Sequence, residues 1–312
     1  MTTVATSPNW DEPTAGLALS VVVPYFRYDV RPLAERLLAQ ARPFGNAVEI
    51  ILLDDGSPEP SWHDALGPLL RQPGARLCSG RLDANVGRAA IRNHLLGLAR
   101  APYLLYLDSD MWPDHDDFLA RYVAWARAGE VDVVYGGRSV DTVTRTGEEY
   151  RLHRDMTAVR EALPAQVRRE APAMSFYSCN FLVRRQVLES FPLDERFTGW
   201  GWEDCEWAAR VSRQFKISHE DNPASHLGLL TVDDIMSKYR QSLGNFKLML
   251  SLHPQLVATT SLYRVARLLK TLHAGAPTAR IAAALSAARG LPTALRLRTL
   301  ALYKAALYAR IV

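Results

Sequence analysis

The stretch Val48-Glu-Ile-Ile-Leu-Leu-Asp-Asp-Gly-Ser57, "VEIILLDDGS", decides how the chain folds. Six residues, all but Glu49 β-branched or apolar, run straight into two acids and a turn dipeptide, the pattern of a strand buried on both faces that ends abruptly at a loop. A second run of this kind, "LSVVVPY" (19 to 25), precedes it, and the segment between, "VRPLAERLLAQA", carries apolar residues at helical spacing. Downstream the alternation continues with "ARLCSG" (75 to 80), a helix from about Arg88 to Ala99, "YLLYLDSD" (103 to 110), a helix from about Asp114 to Ala128, and "VDVVYGG" (131 to 137). Strands alternating with helices predict an α/β architecture, a mostly parallel sheet with helices on both faces. Ligands of such sheets bind beyond the carboxyl ends of the strands.

Those ends carry the unusual residues. The first predicted strand finishes at Pro24-Tyr25, the second at Asp54-Asp55-Gly56-Ser57, and a later one at Asp108-Ser109-Asp110. Singly, an Asp-Gly-Ser turn or an acid that caps a helix is ordinary. Converging on one edge, acids spaced by one residue can hold a hard divalent cation, which in turn takes phosphate oxygens. Asn85-Val-Gly-Arg-Ala-Ala-Ile-Arg-Asn93 opens the next helix; its glycine permits close backbone approach, and Arg88 and Arg92, four apart, share one helix face. No Gly-x-Gly-x-x-Gly and no Gly-Lys-Ser/Thr loop occurs, which argues against dinucleotide-dependent dehydrogenases and Walker-type ATPases.

Phe197-Thr-Gly-Trp-Gly-Trp-Glu-Asp-Cys-Glu-Trp207 places three tryptophans beside three carboxylates. Buried cores avoid the acids and solvated surfaces avoid the indoles, so the mixture suits a place where an apolar ring is gripped next to a proton transfer. The alternative is a loop closed by aromatic packing.

In order and spacing, Pro24-Tyr25, Asp54-Asp55-Gly56-Ser57, Asn85-x-Gly87 with Arg92-Asn93, Asp108-Ser-Asp110 and Trp-Gly-Trp-Glu-Asp together resemble the family 2 glycosyltransferases of the GT-A fold, over roughly residues 17 to 230. The stretch Phe191 to Val211 is most similar to chondroitin-polymerase-type domains and to the galactosyltransferase-type Trp-Gly-Gly-Glu-Asp motif, from which it departs by having Trp202 where glycine is usual. The resemblance implies donor contacts by Pro24, Tyr25, Asp55, Asn85, Arg88, Arg92 and Asp108. It implies a Mn²⁺ or Mg²⁺ ion on Asp110, with His226 on that metal or on the phosphates; imidazole suits manganese better. It also implies Asp204 as the general base with Glu203 holding sugar hydroxyls, an inverting transfer, and acceptor contacts by Trp200, Trp202 and Asn180. Asn180 is equally open to a reading as a buried side chain bonded to backbone. The implied donor is a UDP-sugar and the implied acceptor a saccharide, glycoside or lipid-linked saccharide. Two other readings are a sugar nucleotidyltransferase, which the Trp-rich Glu-Asp loop disfavours, and a non-catalytic, basic-tailed binding protein on a transferase scaffold.

Composition bounds the rest. The chain has 312 residues, 48% hydrophobic and 22% charged, enough for one large domain with an appendage. Residues 261 to 312 hold nine Lys or Arg and no acid, so of the total of +4 the residues before 261 carry −5. The basicity belongs to the tail, and a nucleic-acid partner is not expected. The expected organisation is a disordered segment over 1–16, a transferase domain over 17–260 with a mobile loop or short helix in 138–174, and a basic helical extension over 261–312. That extension either packs on the domain or meets an anionic membrane peripherally. With no basic-hydrophobic leader and no run of apolar residues long enough to span a bilayer, a cytoplasmic location is expected. Three cysteines, Cys78, Cys179 and Cys205, are expected as reduced thiols.

Overall fold

The computed structural model describes residues 3–58, 62–74, 76–144 and 146–312. Of the segments discussed above, positions 1, 2, 75 and 145 lie outside the described residues. Contacts divide the chain into two units, one of residues 1–143, 162–195 and 207–228, the other of 144–161, 196–206 and 229–312.

The first unit is built on strands β1 (Thr3–Thr6), β2 (Leu19–Tyr25), β3 (Val48–Asp54), β4 (Leu77–Arg81), β5 (Tyr103–Leu107), β6 (Met111–Pro113), β7 (Val133–Tyr135), β8 (Arg138–Ser139), β9 (Asn180–Arg184), β10 (Ile217–His219) and β11 (Ala224–His226). Eight form one sheet in the order β1-β4-β3-β2-β5-β9-β7-β10, and β6-β11-β8 form a small second sheet. β4, β3, β2 and β5 are mutually parallel, as are β7 and β10, while β9 runs antiparallel between β5 and β7. β3 and β5 are buried along their whole length and β2 nearly so, which is why these runs read as continuous rather than alternating apolar sequence. The one acid within a run, Glu49, is fully buried but accepts bonds from Ser20 Oγ (2.6 Å), the Arg100 amide (2.8 Å) and Arg100 Nε (2.8 Å). The helix Arg31–Ala41 begins with Pro32 in its first turn and buries Leu33, Leu37 and Ala41, one apolar row at a spacing of four. Chain order moves from β2 to β3 to β4 on one side and returns to β5 on the other. The sheet order therefore reverses at β2, where such folds place their ligands.

The second unit is helical. Leu152, Met156, Phe197, Ile235, Phe246, Val257, Leu300 and Tyr308 belong to its core. Its helices include Glu148–Arg160, Val232–Gln241, Leu243–Leu252, Ser261–Thr271, Gly275–Ala287 and Thr293–Tyr308.

Two expectations about organisation are corrected, and of the loop or short helix expected in 138–174 the structure shows a helix. Segment 1–16 is not wholly disordered: β1 pairs antiparallel with β4 at the sheet edge, Thr3 opposite Arg81 and Thr6 opposite Cys78. Residues 148–160 form a 13-residue helix; its polar sequence hides a narrow stripe in which Leu152, His153, Met156 and Thr157 are buried. Residue 260 is not a structural boundary, because the helices from Val232 onward and those of 261–312 belong to one unit with one apolar core. None of the three cysteines is in a disulfide.

Candidate active site

The residues expected to contact a donor lie in the first unit, at the carboxyl ends of β2, β3 and β5 and in the segment that follows β4. Asp54 is buried and acts within its own turn, its Oδ1 accepting from the Ser57 amide (3.0 Å) and hydroxyl (2.6 Å). The Ser57 hydroxyl in turn accepts from the Arg27 amide at 2.7 Å, which joins the end of β2 to the loop after β3. Asp55 reaches across to the next loop: Oδ1 accepts from the Val86 amide (2.7 Å), and Oδ2 from the Gly87 amide (3.1 Å) and Asn85 Nδ2 (3.0 Å). Burial raises the Asp55 carboxyl above its ordinary pKa, and the Val86 and Gly87 amides oppose that rise. The two loops meet so closely that a Cβ on Gly56, at φ +67°, would lie 2.5 Å from the Ala84 carbonyl carbon. Only glycine serves there.

Beyond β5, Asp108 accepts from Arg92 Nη2 at 2.5 Å and lies 3.5 Å from Arg88 Nη2. Arg92 is buried and its Nη1 also donates to the Arg88 carbonyl (2.9 Å), so it is an internal brace; Arg88, 39% exposed, is the cation of the pair that faces outward.

Asp110 and His226 are brought together by the small sheet, in which His226 pairs with Met111. His226 Nε2 and Asp110 Oδ2 are 3.2 Å apart. Burial alone would raise the Asp110 carboxyl, but the charges of His226, Arg138 and Arg88 hold it well below the usual carboxylate range. A Cβ on Gly228 would run into Asp110 Oδ2, so this glycine leaves the carboxylate its space. An oxygen and an imidazole nitrogen at this separation suit two adjacent positions on one cation with bonds of about 2.0–2.2 Å. Among the described residues no group of three or more His, Cys, Asp or Glu is gathered here.

The Trp-Gly-Trp-Glu-Asp stretch lies in the second unit. Its acids have a local reason to be there: Glu203, Asp204 and Glu206 occupy the first turn of the helix Glu203–Val211, where the helix dipole favours negative charge. Glu203 and Glu206 are buried, Glu206 with Oε1 3.3 Å from His253 Nε2; Asp204 alone of the three is half-buried. Trp202 stands at φ +77°, in the left-handed region that favours glycine. Its side chain holds it there: Nε1 donates to the Tyr308 hydroxyl (2.9 Å), and the indole lies 5.2 Å from the Phe246 ring. Asn245 clamps the same turn, donating to the Gly201 carbonyl (2.8 Å). Lys304 Nζ sits among the rings of Trp202 (5.5 Å), Tyr239 (4.9 Å) and Tyr308 (5.7 Å), and Lys238 lies 5.7 Å from the Trp200 ring.

Two expected contacts are corrected. Asn180 is fully buried and its amide is spent internally, Oδ1 accepting from the Tyr122 hydroxyl (2.8 Å) and Nδ2 donating to the carbonyls of Gly137 (2.8 Å) and Asn222 (3.0 Å). It braces the sheet and has no group to offer an acceptor. Tyr25, 2% exposed, belongs to the core of the first unit, leaving half-buried Pro24 as the β2 residue beside the site.

The family model for glycosyl transferase family 2 matches residues 20–191, more than half of the chain. The chain belongs to that family. It is 31% identical over 139 residues to the dodecaprenyl-phosphate galacturonate synthase of Rhizobium johnstonii, a match covering 44% of this chain. The chain spans only 40% of that relative's length. Among solved structures, the mannosyltransferase PcManGT from Pyrobaculum calidifontis, solved with GDP-Man and Mn²⁺, aligns with a TM-score of 0.60 at 17% identity, covering 94% of this chain and 85% of its own. TarS of S. aureus aligns with a TM-score of 0.50 at 16% identity, covering 92% of this chain and 54% of its own. The fold is GT-A, and the family match disfavours the nucleotidyltransferase reading.

In this family 2 transferase, sequence reading overlooked Arg138, whose charge bears on Asp110, and Gly228, which gives that carboxylate room. Gly228 stands two residues after His226 in "SHLG" and was legible only as a glycine. Asn245 and Tyr308, which hold the Trp202 turn, lie in helices far along the chain and carry no local signal.

Proposed function

We propose that this family 2 enzyme is an inverting, metal-dependent transferase that moves a sugar from a UDP-linked donor to a hydroxyl of a saccharide, glycoside or lipid-linked acceptor. The observation that carries the reading is the 3.2 Å pairing of Asp110 and His226 beyond the end of β5, beside a cleared space at Gly228. Mn²⁺ held by these two residues would neutralise the departing diphosphate. Asp55 and Asn85 shape the nucleotide side of the site, Pro24 lines it, and Arg88 offers an outward cation to the diphosphate while Arg92 fixes Asp108. Asp204 accepts the proton of the acceptor hydroxyl as its oxygen bonds to the anomeric carbon and the bond from that carbon to the diphosphate oxygen breaks. Glu203, buried at the same helix start, is the residue this reading gives to sugar hydroxyls, and Trp200 and Trp202 present the aromatic wall of the acceptor side. The enzyme works on the cytoplasmic side, where nucleotide-sugars are met.

The match to a dodecaprenyl-phosphate galacturonate synthase favours a second acceptor reading, a polyprenyl phosphate. A phosphate oxygen is already ionised and needs no base, so this reading removes the demand on Asp204.

A panel of UDP- and GDP-sugars incubated with the enzyme and Mn²⁺, read as nucleotide release, tests the donor assignment. Release from UDP-sugars alone supports it; release from GDP-sugars alone overturns it.

A further inference from the structure

The helices Ser261–Thr271 and Gly275–Ala287 each bury one face and leave apolar side chains on the other. Leu272 is 63% exposed, Ile281 62% and Leu268 57%, with Val265 and Leu285 also exposed. Val265, Leu268 and Leu272 recur at i, i+3 and i+7, and Ile281 and Leu285 at i and i+4, so each set forms a stripe. Beside the stripes stand exposed Arg264, Arg267 and Arg280. No acid occurs anywhere in 261–312 to offset them. Two of the nine tail cations are turned inward: Arg296 is buried, with Nε donating to the Ser286 carbonyl (3.0 Å), and Lys304 lies among the aromatic rings.

We propose that these two faces dock on an anionic lipid bilayer, the leucines, isoleucine and valine entering the headgroup boundary while the arginines meet lipid phosphates. The chemistry selects this partner. A nucleic acid would satisfy the arginines but leave the stripes in water. A second copy of the chain would cover the stripes but bring like charges together, with no acid in these helices to relieve them. A bilayer serves both, because long basic side chains reach the phosphate layer from a helix whose apolar face lies below it.

The test is co-sedimentation of the full-length protein with vesicles of phosphatidylcholine, with and without phosphatidylglycerol, at low and raised salt. Binding should require phosphatidylglycerol and fall as salt rises. Arg264→Gln, Arg267→Gln and Arg280→Gln should each weaken it about fivefold, the equivalent of ~1 kcal/mol per cation near the surface, while lysine at the same positions restores it. Leu268→Ser with Leu272→Ser should weaken binding at both salt concentrations; both side chains are exposed, so the fold is retained, as checked by thermal unfolding. No sedimentation at low salt, equal sedimentation without phosphatidylglycerol, or indifference to both sets of substitutions overturns the proposal. So does capture of duplex nucleic acid, or self-association lost in the serine variant, by a protein that ignores vesicles. Sedimentation needs neither donor nor turnover, so docking and sugar transfer can fail independently.

Discussion

The indole N–H of Trp202 donates to the hydroxyl of Tyr308 at 2.9 Å, tying the residue that precedes Glu203 and Asp204 to the last helix of the chain. Tyr308 is itself held by Ser242, whose hydroxyl lies 2.5 Å away, and by stacking on Phe246 at 4.1 Å. The tail's final helix is thus part of the support for the proposed catalytic turn.

Trp202→Gly sets two effects against each other. Glycine relieves a left-handed backbone worth about 1–3 kcal/mol, but removal of a large packed aromatic costs about 3–5 kcal/mol. The variant is expected to be less stable by about 1–3 kcal/mol in urea unfolding and to change acceptor KM more than donor KM. A stabilised variant would mean that the indole contributes little packing.

Lys304 makes stability depend on alkaline pH. Burial lowers its pKa to about 8 from an ordinary 10.5, partly offset by Cys205 and Glu161 and reinforced by Arg160; Tyr239 and Tyr308 also face it. Between those values the unfolded chain binds a proton that the folded chain does not, so this group's contribution to stability rises with pH across the window. The Cys205 thiol, raised to about 12 by burial, works the opposite way above its ordinary value of 9.0. The clean measurement is therefore the difference in unfolding free energy between wild type and Lys304→Met at a series of pH values. The difference should shift in favour of wild type from about pH 8 to 10.5; a flat difference contradicts the assignment.

Asp110→Ala should abolish metal-stimulated transfer, and a chelator should do the same to the wild type. Gly228→Ala should imitate both, because its methyl group would displace the Asp110 carboxylate. Weakened Mn²⁺ binding in calorimetry is the expected result for both variants. Normal Mn²⁺ affinity in Asp110→Ala would remove the metal from this pair.

Asp204→Asn keeps shape and removes the base. With a hydroxyl acceptor, transfer should fall at least ~10²-fold while donor binding persists. With a polyprenyl phosphate the loss should be small. The same variant therefore separates the two acceptor readings, and unchanged turnover on a hydroxyl acceptor would move the base elsewhere, first to Glu203.

Much of the first unit is determined by local sequence. Apolar runs such as Val21-Val-Val23 and Ile50-Ile-Leu-Leu53 can be buried only in a covered sheet, and Asp55, Asp108 and Asp110 follow them directly, so their placement at strand ends needs no long-range information. The acids Glu203 and Asp204 stand out in sequence beside the tryptophans, but that they open a helix is seen only in the structure. What local pattern leaves open is which partner a side chain meets. Asn180 reads equally as a ligand contact or a brace, and only the approach of Tyr122, Gly137 and Asn222 makes it a brace. The nine tail cations look alike in sequence, yet helix packing turns Arg296 and Lys304 inward and leaves Arg264, Arg267 and Arg280 exposed. The 3.2 Å meeting of Asp110 with His226 depends on the register of two short strands far apart in the chain. Secondary structure follows from periodicity within a dozen residues, whereas charge pairing, burial of polar groups and clearance beside a carboxylate are set by contacts between distant segments, which tertiary packing alone decides.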